Sequence, residues 1–359
     1  MKIAWFATKG TGSNEAQRME ALLSALPNVV ELPFDKAKKR RSLTELWNAV
    51  KSEKPGLLVM EGTGIAGGLV CLAARFFLNV PYVFSSGDAV GPFVRALNPI
   101  AGLVFEVYER VLCRCCAGFI GWTPYLCGRA MAFGATRAVT AEGWVIGGSA
   151  SGLSRAEIRK RWGIPEDALV VGIVGSLAWN PRQPWCYGLD LVRAAANLKR
   201  SDLCLLVVGG GDGLPHLQQL AGEQLGRRVF LPGPVPLSEV MSVLRAMDVG
   251  SLPQSLDGVG SYRYTTKLPE YMEAELPVIT NQTPAAYDLG AGWMWRLPTR
   301  YPWSEEYQSA LEDLLNKLDH SAVMGKRNQI PKNAGQFSQA AQIQRVTEFL
   351  KDLIREEAA

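Results

Sequence analysis

The chain has 359 residues, of which 48% are hydrophobic and 20% are charged, and its formal net charge at pH 7 is +4. This composition excludes a disordered chain, and the length favours two domains because single cores rarely grow beyond about 250–300 residues. The small net charge gives no support for nucleic acid as a partner. Seven cysteines without paired CxxC motifs or neighbouring histidines predict reduced thiols in a reducing compartment and no zinc site.

In the first half of the chain, short apolar runs alternate with helical segments, which is the pattern of a parallel α/β sheet. Buried strands are predicted at residues 2–8, 56–62, 81–86 and 118–123. Helices are predicted at residues 14–26, 43–53, 65–77 and 99–116. The N-terminus leads directly into a strand and its apolar run is too short for a signal peptide, so we expect a cytoplasmic protein.

Residues 90–120 are strongly apolar, yet charged side chains interrupt them too often for a transmembrane helix. The interrupting residues are Arg95, Glu106, Glu109, Arg110 and Arg114. Two interpretations stay open: a core helix of the first domain, or an amphipathic surface that rests on a membrane. If the segment rests on a membrane, the basic run at residues 36–41 adds attraction to anionic lipid. If the segment is a core helix, the basic run is a solvated loop.

Residues 146–168 are polar, charged and rich in glycine and serine, which predicts an interdomain linker that contains a short helix. A second α/β series follows, and an amphipathic helix is predicted from about residue 335. The strands of this series are predicted at residues 169–176, 203–209, 228–233, 248–253 and 277–281. The predicted domains are an N-terminal Rossmann-like domain, a C-terminal Rossmann-like domain and a C-terminal helix that packs on the first domain, at 1–150, 151–334 and 335–359.

The most informative segment is a helix that opens after Thr265 and Thr266 and leads into the strand at 277–281. Either threonine can cap this helix, and the free N–H groups of its first turn would form an anion site. Lys267 lies where a phosphate charge needs neutralising. Glu270 lies one turn further on, where its carboxylate can accept hydrogen bonds from both hydroxyls of a ribose. The alternative is an ordinary capped helix packed on a sheet.

The run TTKLPEYMEAELPVIT at 265–280 resembles the donor-binding helix of the family 4 retaining glycosyltransferases. Three further segments resemble that family's phosphate turn, second glycine turn and nucleobase loop in the same order: GIVGSL at 172–177, LLVVGGGDG at 205–213 and VFLPGPVPLSEV at 229–240. The resemblance covers about 169–290. It implies the GT-B fold, an α/β architecture of two Rossmann-like domains that face a central cleft, with a C-terminal helix that returns toward the first domain.

The resemblance also implies how the donor is held. Glu270 would bind the ribose hydroxyls, Arg182 would neutralise the diphosphate, and Pro232 with Gly233 and Val235 would line the base. A glycine loop at residues 10–13 would approach the diphosphate from the first domain. The implied donor-binding residues are Gly12, Ser13, Gly175, Ser176, Arg182, Gly233, Val235, Thr265, Thr266, Lys267 and Glu270.

The chain departs from the family pattern at three positions. Tyr262 stands where the common Glu-x7-Glu motif has its first acid, which bears on contacts to the donor sugar. Ser176 stands where a second basic residue often follows the phosphate-turn glycine. The His-Asp pair of the acceptor domain lacks its histidine, and Asp88 alone is retained. We expect Asp88 to be catalytic together with Glu270 and to orient or deprotonate the acceptor hydroxyl; its alternative role is a turn or helix cap.

The sequence thus predicts an enzyme that moves a sugar from a UDP- or GDP-sugar to an acceptor hydroxyl, with retention, in glycan, glycolipid or polysaccharide biosynthesis. The acceptor is expected to be lipid-linked or a polysaccharide, with peripheral contact to the cytoplasmic face of a membrane. No cofactor is implied, and no metal, because the chain lacks an Asp-x-Asp pair. Alternatives are a nucleotide-sugar epimerase, a catalytically inactive nucleotide-sugar-binding protein and a dehydrogenase, although GGGDG lacks the full dinucleotide fingerprint.

Overall fold

A computed structural model of the protein describes residues 1–145, 152–332 and 335–357. The chain divides into two compact units, here called unit 1 and unit 2. Unit 1 consists of Met1–Trp144, Tyr262–Tyr264 and Ala334–Ala359. Unit 2 consists of Val145–Ser261 and Thr265–Asn333. The first six residues of the predicted linker, 146–151, lie outside the described residues, and its predicted short helix is present at Arg155–Trp162.

Unit 1 contains a six-stranded parallel sheet with the strand order β2-β1-β3-β4-β5-β6. Its strands are β1 (Ile3–Ala7), β2 (Val29–Glu31), β3 (Leu57–Glu61), β4 (Tyr82–Ser86), β5 (Gly118–Gly121) and β6 (Ala138–Thr140). The four strands in the middle of this order are buried along their whole length, as expected for a parallel sheet covered on both faces.

Helices cover both faces of the unit 1 sheet. They are α1 (Asn14–Leu23), α2 (Lys39–Glu53), α3 (Ile65–Phe77), α4 (Val90–Leu97), α5 (Pro99–Cys115), α6 (Pro124–Ala132) and α15 (Gln339–Glu357). On one face, Val346 and Leu350 of α15 join the apolar cluster that α1 forms with the sheet. The amphipathic tail predicted from the sequence is therefore the helix α15 of unit 1.

Unit 2 repeats the architecture with a second six-stranded parallel sheet of strand order β12-β11-β10-β7-β8-β9. Its strands are β7 (Leu169–Val174), β8 (Leu203–Val208), β9 (Val229–Gly233), β10 (Val249–Leu252), β11 (Val278–Asn281) and β12 (Met294–Leu297). Its helices are α7 (Arg155–Trp162), α8 (Leu189–Ala194), α9 (Leu214–Ala221), α10 (Leu237–Arg245), α11 (Lys267–Glu273), α12 (Ala285–Asp288), α13 (Glu305–Lys317) and α14 (His320–Arg327).

All nine strands predicted from the sequence are confirmed. The sequence did not predict β2, β6 and β12, which are short and lie at sheet edges, where partial exposure weakens the apolar signal. The helices α4 and α6 were also missed. In the part of the chain that the structure describes, no helix is both long and apolar enough to cross a membrane.

Candidate functional site

The strand order of unit 2 reverses between β7 and β10, so the loops that follow these two strands diverge and leave a crevice. Ligands of open α/β sheets bind at such a switch point, beyond the carboxyl ends of the strands. Gly175 and Ser176 follow β7, and Pro253 and Gln254 follow β10. The helix α11 begins at Lys267, on the connection from β10 to β11.

Glycines hold the turn after β7 close to the turn after β8. The Gly175 N–H donates to the Val208 carbonyl at 2.9 Å, and the Leu177 N–H donates to the Gly210 carbonyl at 3.0 Å. Gly209 has a φ of +154°, and a methyl group on it would overlap the Gly175 carbonyl oxygen. The glycines of the GGGDG run therefore let the turn after β8 pack closely against the turn after β7, which the sequence predicted to be the phosphate turn.

Lys267 lies against this turn. A methyl group in place of the Gly175 hydrogen would lie only 2.7 Å from the Lys267 Nζ, so glycine is what allows the ammonium to approach the turn. The same Nζ lies 4.9 Å from the centre of the Tyr187 ring, within cation–π range. The Gln254 Nε2 in turn donates to the Tyr187 hydroxyl at 3.0 Å. The switch point therefore carries a positive charge held by an aromatic ring.

Glu270 is half-buried one turn along α11 from Lys267. Burial raises the pKa of its carboxyl group, and the nearby Lys267 charge opposes this shift. Among the described residues, none donates a hydrogen bond to the Glu270 carboxylate. Tyr271 fixes α11 against the sheet, because its hydroxyl donates to the Ser251 carbonyl of β10 at 2.9 Å. The helix that carries Glu270 is therefore anchored to β10, and within the described residues the acceptor capacity of the carboxylate is unused.

The predicted threonine cap of α11 is wrong. Thr266 precedes the helix with φ −57° and ψ −17°, and its side chain makes no capping hydrogen bond. A capping side chain needs an extended backbone at that residue, and the helical conformation of Thr266 turns its hydroxyl away from the first amides. The Thr265 Oγ1 is buried without a hydrogen-bond partner in the described residues.

The remaining unit 2 residues of the sequence prediction lie on two loops. Arg182 is exposed on the hairpin that Asn180 and Trp185 close, and its guanidinium makes no hydrogen bond or ion pair with a described residue. Gly233 ends β9 with a φ of +85°, and its carbonyl accepts from the Gly209 N–H at 3.0 Å. Val235 follows it and is half-buried. The structure therefore brings Gly175, Lys267 and Gly233 to adjoining turns but shows no contact of Arg182 with them.

Sequence reasoning missed Tyr187 and Gln254. Gln254 had a detectable signal, since it comes two residues after a buried strand, at the edge where ligands bind. Tyr187 had only its place before Gly188, which precedes α8 in a left-handed conformation. Its contact with Lys267, eighty residues later, is a property of the fold.

In unit 1, the corresponding reversal of strand order lies between β1 and β3. The predicted loop follows β1, and Gly10 and Gly12 both have positive φ angles, of +106° and +77°. The Ser13 hydroxyl accepts from the Ala16 N–H at 3.2 Å and caps α1. This capping occupies Ser13 within its own helix.

Asp88 follows β4 and pairs with Arg263, whose Nε lies 2.6 Å from the Asp88 Oδ1. The Asp88 side chain is 42% exposed, so the pairing leaves part of the carboxylate accessible. Tyr262, which replaces the expected acid, also belongs to unit 1, and its carbonyl accepts from the Thr123 hydroxyl at 2.8 Å. Sequence reasoning missed Arg263. Asp88 does not cap α4, because Ala89 precedes that helix.

A buried ion pair lies in the same part of unit 1. Arg18 of α1 contacts Glu61 at the end of β3 at 3.0 Å, and its guanidinium lies 4.3 Å from the centre of the Trp122 ring. The Trp122 ring in turn packs on Gly87, because a methyl group there would lie 2.8 Å from it. Burial raises the pKa of Glu61, and Arg18 opposes the shift. These contacts fix the loop that carries Asp88. Within the described residues, no group of three or more His, Cys, Asp or Glu side chains is placed to hold a metal ion.

Comparison with known proteins assigns a class to this arrangement. Residues 168–317, somewhat less than half of the chain, match the family model described as Glycosyl transferases group 1. The matched segment spans β7 to α13 and contains Gly175, Lys267 and Glu270. No curated protein matches the chain.

Solved structures share the fold over the whole chain. A sucrose-phosphate synthase from Thermosynechococcus elongatus is similar with a TM-score of 0.69 and 15% identity, over 99% of this chain and 100% of that one. Anabaena HepE in complex with UDP-glucose gives a TM-score of 0.71 and 15% identity, over 98% and 100%. WaaG, a glycosyltransferase involved in lipopolysaccharide biosynthesis, gives 0.63 and 14%, over 97% and 99%.

The fold is therefore that of the GT-B glycosyltransferases, as the sequence predicted. The family match over unit 2 makes the chain a glycosyltransferase, an enzyme that transfers a sugar from a nucleotide sugar.

Proposed function

We propose that this glycosyltransferase uses a UDP- or GDP-sugar, that it retains the anomeric configuration, and that it acts in glycan, glycolipid or polysaccharide biosynthesis. The observation that carries the proposal is the placement of Lys267 and Glu270 on one face of α11 beside the Gly175 turn. A positive charge and a free carboxylate one helical turn apart match a diphosphate and the ribose next to it. The neighbour solved with UDP-glucose supports UDP, and WaaG supports glycan synthesis.

Breaking the bond between sugar and phosphate leaves negative charge on the departing nucleoside diphosphate. In our proposal, the Lys267 ammonium and the Ser176 backbone amide stabilise that charge, and such electrostatic stabilisation is usually the largest single contribution that a preorganised site makes. The Gly175 N–H is occupied by the Val208 carbonyl. The acceptor oxygen attacks the anomeric carbon on the face from which the diphosphate leaves. The hydroxyl proton ends on the departing phosphate oxygen, either directly or by way of the Asp88 carboxylate.

Glu270 holds the ribose in this proposal. Each ribose hydroxyl donates to one oxygen of its carboxylate, which has no competing donor among the described residues. Gly233 and Val235 would line the base, and the backbone around Thr265 and Thr266 would contact the diphosphate. Arg182 and Lys267 would neutralise the diphosphate together, and Lys267 already lies against the Gly175 turn. Ser176 contributes its amide.

On the acceptor side, we propose Asp88 as the residue that orients or deprotonates the hydroxyl. Its partly exposed carboxylate and its pairing with Arg263 support an acceptor role. We also propose Gly12 and Ser13 as donor-binding residues. The Ser13 hydroxyl caps α1 and the Ser13 N–H donates to the Gly10 carbonyl at 3.2 Å, so the Gly12 N–H is the backbone donor that this loop would offer.

We propose that the enzyme works without a cofactor or metal ion, because Lys267 supplies the cation and the sequence has no Asp-x-Asp pair. We also propose a cytoplasmic location with peripheral contact to a membrane and a lipid-linked or polysaccharide acceptor. The seven unpaired cysteines, six of them buried, support a reducing compartment.

The direct test is slow donor hydrolysis, in which water takes the place of the acceptor. UDP-, GDP- and ADP-glucose are incubated with the protein, nucleoside diphosphate release is measured, and NMR identifies the first anomer of glucose that appears. We expect nucleoside diphosphate to be released from one of the three donors, and the α-anomer of glucose to appear first. The Glu270→Gln variant should release neither the diphosphate nor glucose. Release of the β-anomer would overturn retention, and release that is unchanged in Glu270→Gln would overturn the proposed site.

A further inference from the structure

Unit 1 exposes an unusual number of large apolar side chains on three consecutive helices. Of the 19 large hydrophobic side chains that are exposed among the described residues, 12 lie between positions 65 and 111. We call them the α3–α5 face: Ile65, Leu69, Phe76, Phe77, Leu78, Phe93, Leu97, Ile100, Leu103, Val104, Val107 and Val111. Single exposed apolar residues are normal, but a contiguous group marks an interaction site.

The spacing on α5 shows that this exposure is organised. Its exposed members stand at positions 100, 103, 104, 107 and 111, which is one stripe of a helix with 3.6 residues per turn. The opposite side of α5 is buried and carries Gly102, Glu109, Leu112 and Cys113. The helix therefore has two apolar sides, of which the core of unit 1 uses only one. The core interpretation of the apolar segment 90–120 thus describes only one side of this helix.

The three helices form one surface because glycines let them pack closely. A methyl group on Gly68 of α3 would overlap the Tyr108 hydroxyl of α5, and that hydroxyl donates to the Gly64 carbonyl at 3.2 Å. A methyl group on Gly102 of α5 would overlap Arg95 of α4. Their exposed sides are therefore continuous.

The charges around the α3–α5 face are predominantly positive. Arg110 and Arg114 follow Leu103 and Val107 by seven residues each, so they extend the same rows of α5. Glu106 is the one partly exposed acid on α4 and α5, and it pairs with Arg110 at 3.2 Å and with Arg95. The other acid of α5, Glu109, is buried and pairs with Arg129 at 2.9 Å.

A pocket of about 680 Å³ opens where α3 and α5 end. Three arginines line it, Arg75, Arg114 and Arg137, and Phe76 of the α3–α5 face lies at its wall. Arg137 pairs with Glu356 at 2.6 Å, but the Glu356 side chain is 66% exposed, so an incoming anion competes with a well-solvated carboxylate. Three guanidinium groups around one opening suit a phosphate oxygen cluster.

We propose that the α3–α5 face binds the surface of an anionic lipid bilayer, with a lipid phosphate in the three-arginine pocket. Phe, Leu, Ile and Val flanked by arginine is the composition of a helix that lies in the membrane interface. Face-to-face pairing of two copies would place their arginine rims against one another. The inference rests on the peripheral membrane contact of the proposed function and assigns the surface that makes it.

The test is sedimentation of the full-length protein with two kinds of vesicle. One kind is phosphatidylcholine alone, and in the other about one lipid in three is the anionic phosphatidylglycerol, which attracts basic residues. The face variant is Val104→Asp with Val107→Asp. Its matched control makes the same change at two exposed unit 2 residues outside the proposed donor site, Leu220→Asp with Leu225→Asp. A third variant, Arg110→Gln with Arg114→Gln, tests the charges. Stabilisation by UDP or GDP is measured on each protein to show that unit 2 is folded.

We expect the wild type to bind anionic vesicles at least about 25-fold better than neutral ones, since each basic residue near the surface adds roughly five-fold and Arg110 and Arg114 are two of them. The face variant loses this binding, the arginine variant loses about 25-fold, or two such factors, and the control binds like the wild type. Absence of wild-type binding, or equal loss in the control, overturns the proposal. A wild-type dimer that the face variant makes monomeric, without vesicle binding, assigns the face to a second copy instead. If nucleotides stabilise the protein but vesicles do not bind it, the α3–α5 face is not a membrane surface and the sugar-transfer proposal stands. If vesicles bind it but nucleotides do not stabilise it, only the donor site is rejected.

Discussion

The Lys267 ammonium lies 4.9 Å from the centre of the Tyr187 ring, and the Tyr187 hydroxyl is held by Gln254 at 3.0 Å. This relationship keeps a cation at the turn after β7, where the family pattern has a basic residue and this chain has Ser176. The charge that the proposed donor diphosphate requires thus comes from α11, which follows β10, and it is positioned by an aromatic side chain.

Removing the Tyr187 ring should weaken diphosphate binding without affecting the nucleoside. A cation–π contact contributes about 0.5–2 kcal/mol, so Tyr187→Leu should lower UDP or GDP affinity by about five-fold. Tyr187→Phe keeps the ring and should bind almost normally. Calorimetry with the diphosphate and with uridine or guanosine checks this. Equal weakening of diphosphate and nucleoside would mean that Tyr187 contacts the base or shapes the pocket generally.

A methyl group at Gly209 should disrupt the phosphate turn. The added carbon would overlap the Gly175 carbonyl oxygen at a φ of +154°, so Gly209→Ala should cost roughly 3 kcal/mol of the free energy of unfolding. Gly226→Ala is the control, because Gly226 has a φ of +74° and open space around it, and it should cost about 1 kcal/mol. Denaturant unfolding measures both. Equal costs would show that the two turns do not depend on this contact.

These two predictions separate what the sequence shows from what only the fold provides. The strands β7 and β8 are continuous apolar runs, and the α11 motif has a recognisable spacing, so the sheet of unit 2 and the positions of Lys267 and Glu270 were predictable. The threonine cap was not, because it depends on the backbone angles of Thr266. The pair of Asp88 and Arg263 joins residues 175 positions apart, and no local pattern reports such a contact.

Asp190 should make stability fall as the pH rises. Burial raises the pKa of this carboxyl group to about 6 from 3.8. Between these values the folded protein keeps a proton that the unfolded chain releases, so stability is highest below pH 4 for this group and decreases up to about pH 6. Asp190→Asn should remove that decrease and add about 2–3 kcal/mol at pH 7. Asp313→Asn, an exposed change on α13, is the control for melting measured from pH 4 to 7. A wild-type curve that parallels Asp190→Asn would contradict the raised pKa.

Asp88→Asn should slow transfer to the acceptor while donor binding stays unchanged. Loss of an acid–base group costs about 10²-fold or more in turnover. Arg263→Gln, which removes only the partner, should have a smaller effect because the carboxylate remains. Transfer rates and nucleotide affinity are measured on the same preparations. Full turnover in Asp88→Asn would remove this residue from the acceptor site.

The most direct test of the donor site is a thermal-shift series with UDP, GDP and ADP on the wild type, Glu270→Ala and Glu273→Ala. Both glutamates lie on α11, but the Glu273 side chain is 60% exposed and pairs with Arg245. A ligand at 100 times its Kd adds about 2.7 kcal/mol of stability. We predict that one diphosphate raises the Tm of the wild type and of Glu273→Ala, and that Glu270→Ala does not respond. An unchanged response in Glu270→Ala, or no response of the wild type to any of the three nucleotides, would contradict a nucleotide-sugar site at α11.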